Sequence, residues 1–133
     1  METFEFILEG PPVSLKAKKT NTKRYQRWIR TVRKAAQAGW PTGKAPVTNT
    51  AIEVNIRNYY TLSPPDVDNI IKPILDGLNS VVYIDDRQVY RVTSEKYELS
   101  DKTRIENTSV LLAEAFEKYT EVLHISVRWE AED

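Results

Sequence analysis

The sequence predicts a single small α+β domain in which helices pack on a mixed β-sheet. Three observations lead there. The chain has 133 residues, a length that suits one compact domain with a modest hydrophobic core. Period-two and helical hydrophobic patterns alternate along it, in the order strand, helix, strand, helix, strand, helix, strand. No internal repeat, low-complexity tract or long linker separates a second unit, so residues 1–133 are read as one domain. The element order by itself permits α/β or α+β. The loop and strand patterns favour helices on a small mixed sheet, hence α+β.

The elements follow from the N-terminus. In FEFILE, Phe4, Phe6 and Leu8 face one way and Glu5 and Glu9 the other, as in a half-buried strand. GPPVSLKAKKTNTK is rich in Pro, Ser, Thr and Lys and reads as a loop. A helix is expected over residues 23–38, with Tyr25, Trp28, Ile29, Val32, Ala35 and Ala36 as its core stripe. Lys23, Arg27, Arg30 and Lys34 make a second, basic stripe on the same helix. GWPTGKAP ends it. AIEVNIRNYY alternates again, Ile52, Val54 and Ile56 inward, and SPP punctuates the chain after it. Residues 66–79 read as helical, with Ile70, Ile71, Ile74, Leu75 and Leu78 on one face. Pro73 conflicts with a helix starting at Asp66, because an interior proline costs roughly 3 kcal/mol. Either the helix kinks, or its regular part begins near Asn69. RQVYRVTSEKYEL is a third strand, residues 108–119 a short helix and EVLHISVRWE a last strand.

Composition narrows the function. Apolar residues at 41% and charged residues at 29% are ordinary for a soluble globular protein. With no cysteine there is no disulfide framework, thiolate zinc site or thiol nucleophile. No apolar run approaches the roughly 18 residues of a membrane span. METFEFILEG lacks a basic region followed by an apolar stretch, so a cytoplasmic location is expected. Net charge is zero, but it is unevenly spread. Residues 10–52 contain no acidic side chain and ten basic ones, among them Lys16, Lys18, Lys19, Lys23, Arg24, Arg27, Arg30 and Lys34. Such asymmetry points to a polyanion such as nucleic acid. The plainer account is one solvated basic face and one solvated acidic face. Trp28 and Trp40 are better read as core or rim residues than as platforms for unpaired bases.

The informative stretch is PPDVDNIIKPILDGLNSVVYIDDRQV. Asp66 and Asp68 are one residue apart, so in an extended chain both carboxylates point the same way. From Asp68 onward, helical spacing puts Asp68, Lys72 and Asp76 on one face, opposite the buried isoleucines. Asp85 and Asp86 return on a later loop. Clustered carboxylates suit a hard divalent cation such as magnesium. Beside DNA, that cation would polarise a phosphoryl oxygen and acidify an attacking water, with a lysine offsetting developing charge. His124, the lone histidine, falls inside a strand and is a poor general base. The same acids also admit a plainer account. Asp66 or Asp68 would cap a helix, Asp85 and Asp86 would be turn residues, and Asp76 an i+4 partner of Lys72.

PDVDNIIKPILDGLN followed by DDRQV resembles the signature of the RusA family of Holliday-junction resolvases. The pattern is Asp-x-Asp-Asn, a lysine four residues after the second aspartate, a further aspartate and leucine, then Asp-Asp-x-Gln-Val. FILEGPPVSLKAKK resembles the family's first strand and Gly-x-Pro-x-Ser-x-Lys loop, so the likeness runs from Phe4 to about Tyr97. The resemblance implies a small α+β homodimer that cuts four-way DNA junctions with magnesium, or manganese in its place, in recombination and repair. It implies that Asp66, Asp68 and Asp86 are the essential acids and metal ligands, with Asp85 as an assisting ligand, and that Lys72 is the essential lysine. Lys16, Lys18, Lys19, Lys23, Arg24, Arg27, Arg30 and Lys34 are then expected to contact DNA phosphates. Two features depart from the pattern. Residues 100–120 look like an insertion between the last two strands, and the neutral net charge leaves DNA binding to the basic half. Two other readings stand beside the nuclease: a non-catalytic branched-DNA-binding module of the same fold, and a structural protein whose acids are caps and turns.

Overall fold

The computed structural model describes residues 1–99 and 109–131. Strand β1 spans Glu2–Glu9 and is followed by a single helical turn, α1 (Ala17–Thr20), and the long helix α2 (Thr22–Gly39). Strand β2 (Ile52–Tyr60) leads through a 3-10 turn (Val67–Ile70) into α3 (Ile71–Leu78). A second 3-10 turn (Asp86–Gln88) opens β3 (Val89–Glu98), and α4 (Val110–Lys118) precedes β4 (Val122–Trp129). The sheet order is β1-β4-β2-β3, with β4 antiparallel to both neighbours and β2 parallel to β3. This is the mixed-sheet α+β fold that the patterns predict. A parallel pair cannot be closed by a tight turn, so β2 and β3 require a crossover. That crossover carries every acid of the motif.

Cross-strand register explains the alternation. Phe4, Val127, Val54 and Val92 are neighbours in one row, and Phe6, Ile125, Ile56 and Ser94 in the next. These rows face α2 and α3 and form the main core with Tyr25, Val32, Ile70, Ile74 and Leu78. On the other face, Tyr59 and Val122 join Leu112 and Ala115 of α4 in a smaller cluster. Helices α2 and α3 approach closely at Gly77, where an added Cβ would lie 2.5 Å from Val32 Cγ1.

One expectation needs correction. The segment 66–79 is not one helix. Asp66 is extended (φ −62°, ψ 145°), residues 67–70 form a 3-10 turn, and the α-helix starts at Ile71. Pro73 therefore falls in the first helical turn, where it displaces no helical hydrogen bond. The tryptophans are core residues, as the sequence reading favoured. Trp28 is buried, and so is Trp40, which meets Phe4 edge-on at 5.0 Å and donates its indole N–H to Lys44 O at 3.0 Å. The helix expected over residues 108–119 is α4; its first position, Thr108, lies outside the described residues. So do residues 100–108 of the expected insertion. Among the described residues no helix is long and apolar enough to cross a membrane.

Candidate active site

The first part of the site is the extended approach to α3. Its backbone is tied down on both sides. Ser94 on β3 donates to Val67 O at 2.6 Å, Leu15 N donates to Asn69 O at 2.7 Å, and Asn69 N donates to Asp66 O at 3.0 Å. Asp66 and Asp68 project from this fixed segment and are exposed. Asp66 makes no capping bond. Neither carboxylate has a hydrogen bond or ion pair among the described residues, so Asp66 is not the helix cap that the plainer account required.

The second part is a lysine clamp. Lys72, on the first turn of α3, places its ammonium 2.9 Å from Asp76 Oδ1 and 3.4 Å from Asp86 Oδ2. The hydrogen bond to Asp76, the charge of Asp76 and the contact with Asp86 together raise its pKa against the opposing effect of desolvation. Lys72 thus stays a cation at neutral pH. Beneath it lies Tyr83, fully buried, whose hydroxyl donates to Leu75 O at 2.7 Å. Burial first, then the charges of Asp86 and Asp76, push its phenol well above the ordinary range. Tyr25, on α2, is raised by burial and by Asp76, with Lys72 opposing. Both tyrosines therefore remain neutral and line the site without adding charge.

The third part is the turn before β3. Asp85 caps it, accepting from Arg87 N at 2.9 Å and pairing with Arg87 Nη2 at 3.2 Å. These contacts hold the Asp85 carboxyl below the usual range. Gln88 completes a reciprocal capping box. Its Oε1 accepts from Ile84 N and Asp85 N, both at 3.0 Å, while its Nε2 donates to Val47 O at 3.0 Å and Thr50 O at 3.3 Å. The adjacent acids divide the work: Asp85 builds the turn and Asp86 faces Lys72.

Among the described residues no three Asp, Glu, His or Cys side chains converge closely enough to hold a metal ion. There is no closed cage. The donors still fit magnesium, which keeps several waters and is held by one or two carboxylates together with substrate phosphate oxygens. Asp66 and Asp68 offer carboxylates with no competing cation. Asp86 offers a third, in contact with Lys72 at 3.4 Å.

The basic residues lie before and on α1 and on α2, the helix that packs against α3. Lys16 precedes α1, Lys18 and Lys19 lie on it, and Lys23, Arg24, Arg27, Arg30 and Lys34 lie on α2. All eight are exposed, and none forms an ion pair among the described residues. Two neighbours of the site were not anticipated. Arg33, outside the basic stripe, donates to Asp76 O at 2.6 Å, pinning α2 to α3 beside Lys72. Its position next to the core residue Val32 was the available signal. Lys96, exposed and without an ion pair among the described residues, shares a face of β3 with Ser94, which holds the Asp66–Asp68 segment. His124 is buried in β4, 2.7 Å from Glu5 Oε2 and away from these residues in the sheet.

The family model for the endodeoxyribonuclease RusA matches residues 12–108. The chain belongs to the RusA endodeoxyribonuclease family. The matched span runs from the proline-rich loop through α2 and the whole crossover to beyond the end of β3, so it includes Asp66, Asp68, Lys72 and Asp86. RusA membership supports an enzyme that cuts DNA internally. No curated protein matches the chain.

Proposed function

We propose that this RusA-family protein is a divalent-cation-dependent endonuclease that resolves four-way DNA junctions in recombination and repair, acting as a homodimer. One observation carries the reading: Asp66 and Asp68 are held on a fixed backbone, without an ion pair or side-chain hydrogen bond among the described residues, in the same crossover as the Lys72–Asp86 pair. A non-catalytic protein gains nothing from unpaired carboxylates near DNA phosphates, because they repel the ligand unless a cation lies between.

Asp66, Asp68 and Asp86 are the residues to hold magnesium, with manganese as a substitute. Asp85, expected as a further ligand, already has both oxygens on Arg87 and serves to aim Asp86. A divalent cation bound there supplies charge to a phosphoryl oxygen and acidifies water at neutral pH. The remaining duties fall to the chain. Lys72 brings a permanent cation to the phosphate and offsets charge that develops in the transition state. Lys16, Lys18, Lys19, Lys23, Arg24, Arg27, Arg30 and Lys34 contact backbone phosphates and give affinity without reading sequence. A two-fold dimer presents two equivalent sites to a two-fold junction.

The test is nicking of a labelled synthetic four-way junction and of linear duplex in magnesium, by wild type and Asp68→Asn. Paired nicks in the junction alone, lost in the variant, are expected. Nicking that survives the substitution would move the active site elsewhere. A second reading, a branched-DNA-binding module without chemistry, draws on the absence of three converging acids among the described residues. It predicts tight junction binding and no nicking in any divalent cation.

A further inference from the structure

We propose that Asp76 is a positioning residue that tethers the Lys72 ammonium at the site, an inference that rests on the nuclease reading above. An exposed i,i+4 ion pair on a helix is ordinarily loose and worth only a few tenths of a kcal/mol. This one is built differently. The backbone on either side of the Asp76 side chain is fixed by residues from other elements. Arg33 of α2 donates to the Asp76 carbonyl at 2.6 Å, and the buried Tyr83 donates to the preceding carbonyl, Leu75 O, at 2.7 Å. The next residue, Gly77, is pressed so closely on Val32 that no Cβ fits. The Asp76 carboxylate is thus an acceptor mounted on a fixed backbone.

An ammonium has three N–H donors. Lys72 directs one to Asp76 at 2.9 Å and a second, longer one to Asp86 at 3.4 Å. The third is left for a phosphate oxygen. Asp86 is also a proposed cation ligand, so its contact with Lys72 is the one given up when Asp86 turns to a cation. Asp76 then remains as the one acid among the described residues that holds the lysine. A lysine has a long, mobile stem and no preset geometry of its own, so a fixed partner is what keeps its charge beside the reacting phosphate.

The experiment combines kinetics with NMR of the lysine ammonium groups. Asp76→Asn preserves the shape of the side chain and leaves both backbone contacts intact. In junction nicking it is expected to lower kcat about 10- to 100-fold while KM stays within about two-fold, because a misplaced catalytic group acts on the chemical step. Asp76→Glu restores part of the rate. In a Lys72→Ala background, Asp76→Asn has no further effect, since the two residues act as a unit. In the protein alone, without DNA or metal, the Lys72 ammonium signal is expected to be resolved for wild type and lost to rapid exchange in Asp76→Asn. A wild-type kcat in Asp76→Asn, or a full additional loss in the Lys72→Ala background, overturns the proposal. If wild type cuts no branched DNA in any divalent cation, the nuclease reading fails. The ammonium signal still decides whether Asp76 tethers the lysine, because it needs neither substrate nor cleavage.

Discussion

At the scale of single residues, Gln88 shows how one uncharged side chain fixes a reactive neighbour. Its amide satisfies two backbone N–H groups before β3 and two carbonyls of the chain entering β2. Replacing it with alanine removes the acceptor of Asp85 N and a donor to Val47 O, while Ile84 N keeps its own bond to Val47 O at 3.2 Å. We expect Gln88→Ala to destabilise the fold by about 2 kcal/mol, read from thermal or denaturant unfolding. Because the same bonds orient the turn bearing Asp86, nicking should fall by more than the unfolded fraction accounts for. Unchanged activity would show that Asp86 needs no help from this turn. The acids and the lysine were legible in the sequence because their spacing is short and their chemistry distinctive. The role of Gln88 was not, since its carbonyl partners lie 41 and 38 residues away. Nor could spacing show that Asp85 would be consumed by its own turn while Asp86 faced the lysine.

At the scale of elements, the crossover is assembled by the contact of α2 with α3. Hydrophobic spacing predicted both helices, and α2 runs within one residue of its expected limits at each end. The start of α3 was harder to read because a 3-10 turn and an α-helix bury isoleucines with similar spacing, and only Pro73 hinted at the break. The closeness of the two helices was not legible at all, since a single glycine in a helix carries no label for what faces it. Gly77→Ala is expected to cost about 2 kcal/mol through overpacking against Val32. Val32→Ala removes the clashing methyls, so the double variant should be more stable than the sum of the single effects predicts, by about 1 kcal/mol. Simple additivity in unfolding experiments would mean that the helices part to make room.

At the scale of the whole molecule, charge is segregated although the net charge is zero. That division was visible in the sequence, and the structure puts the basic part on the exposed surfaces of α1 and α2. Junction binding is therefore expected to weaken steeply with salt. For a duplex arm, each lost phosphate contact lowers the slope of log K against log salt by about 0.9. Arg27→Ala, Arg30→Ala and Lys34→Ala combined should flatten that slope by between one and three contacts, and weaken binding to arms of any sequence about equally. An unchanged slope would place the DNA on another face.

The strand order was not legible, because periodicity tells which face a strand buries and not who its neighbours are. It has a consequence for how the molecule comes into being. β4, the last of the described strands in sequence, lies between β1 and β2. During synthesis β2, α3 and β3 can pair as soon as they leave the ribosome, but β1 has no partner until Trp129 and its neighbours emerge. The nascent chain thus carries an open sheet edge on β2 and an orphan first strand until β4 has been made. Both are covered in one late event, the insertion of a single eight-residue strand.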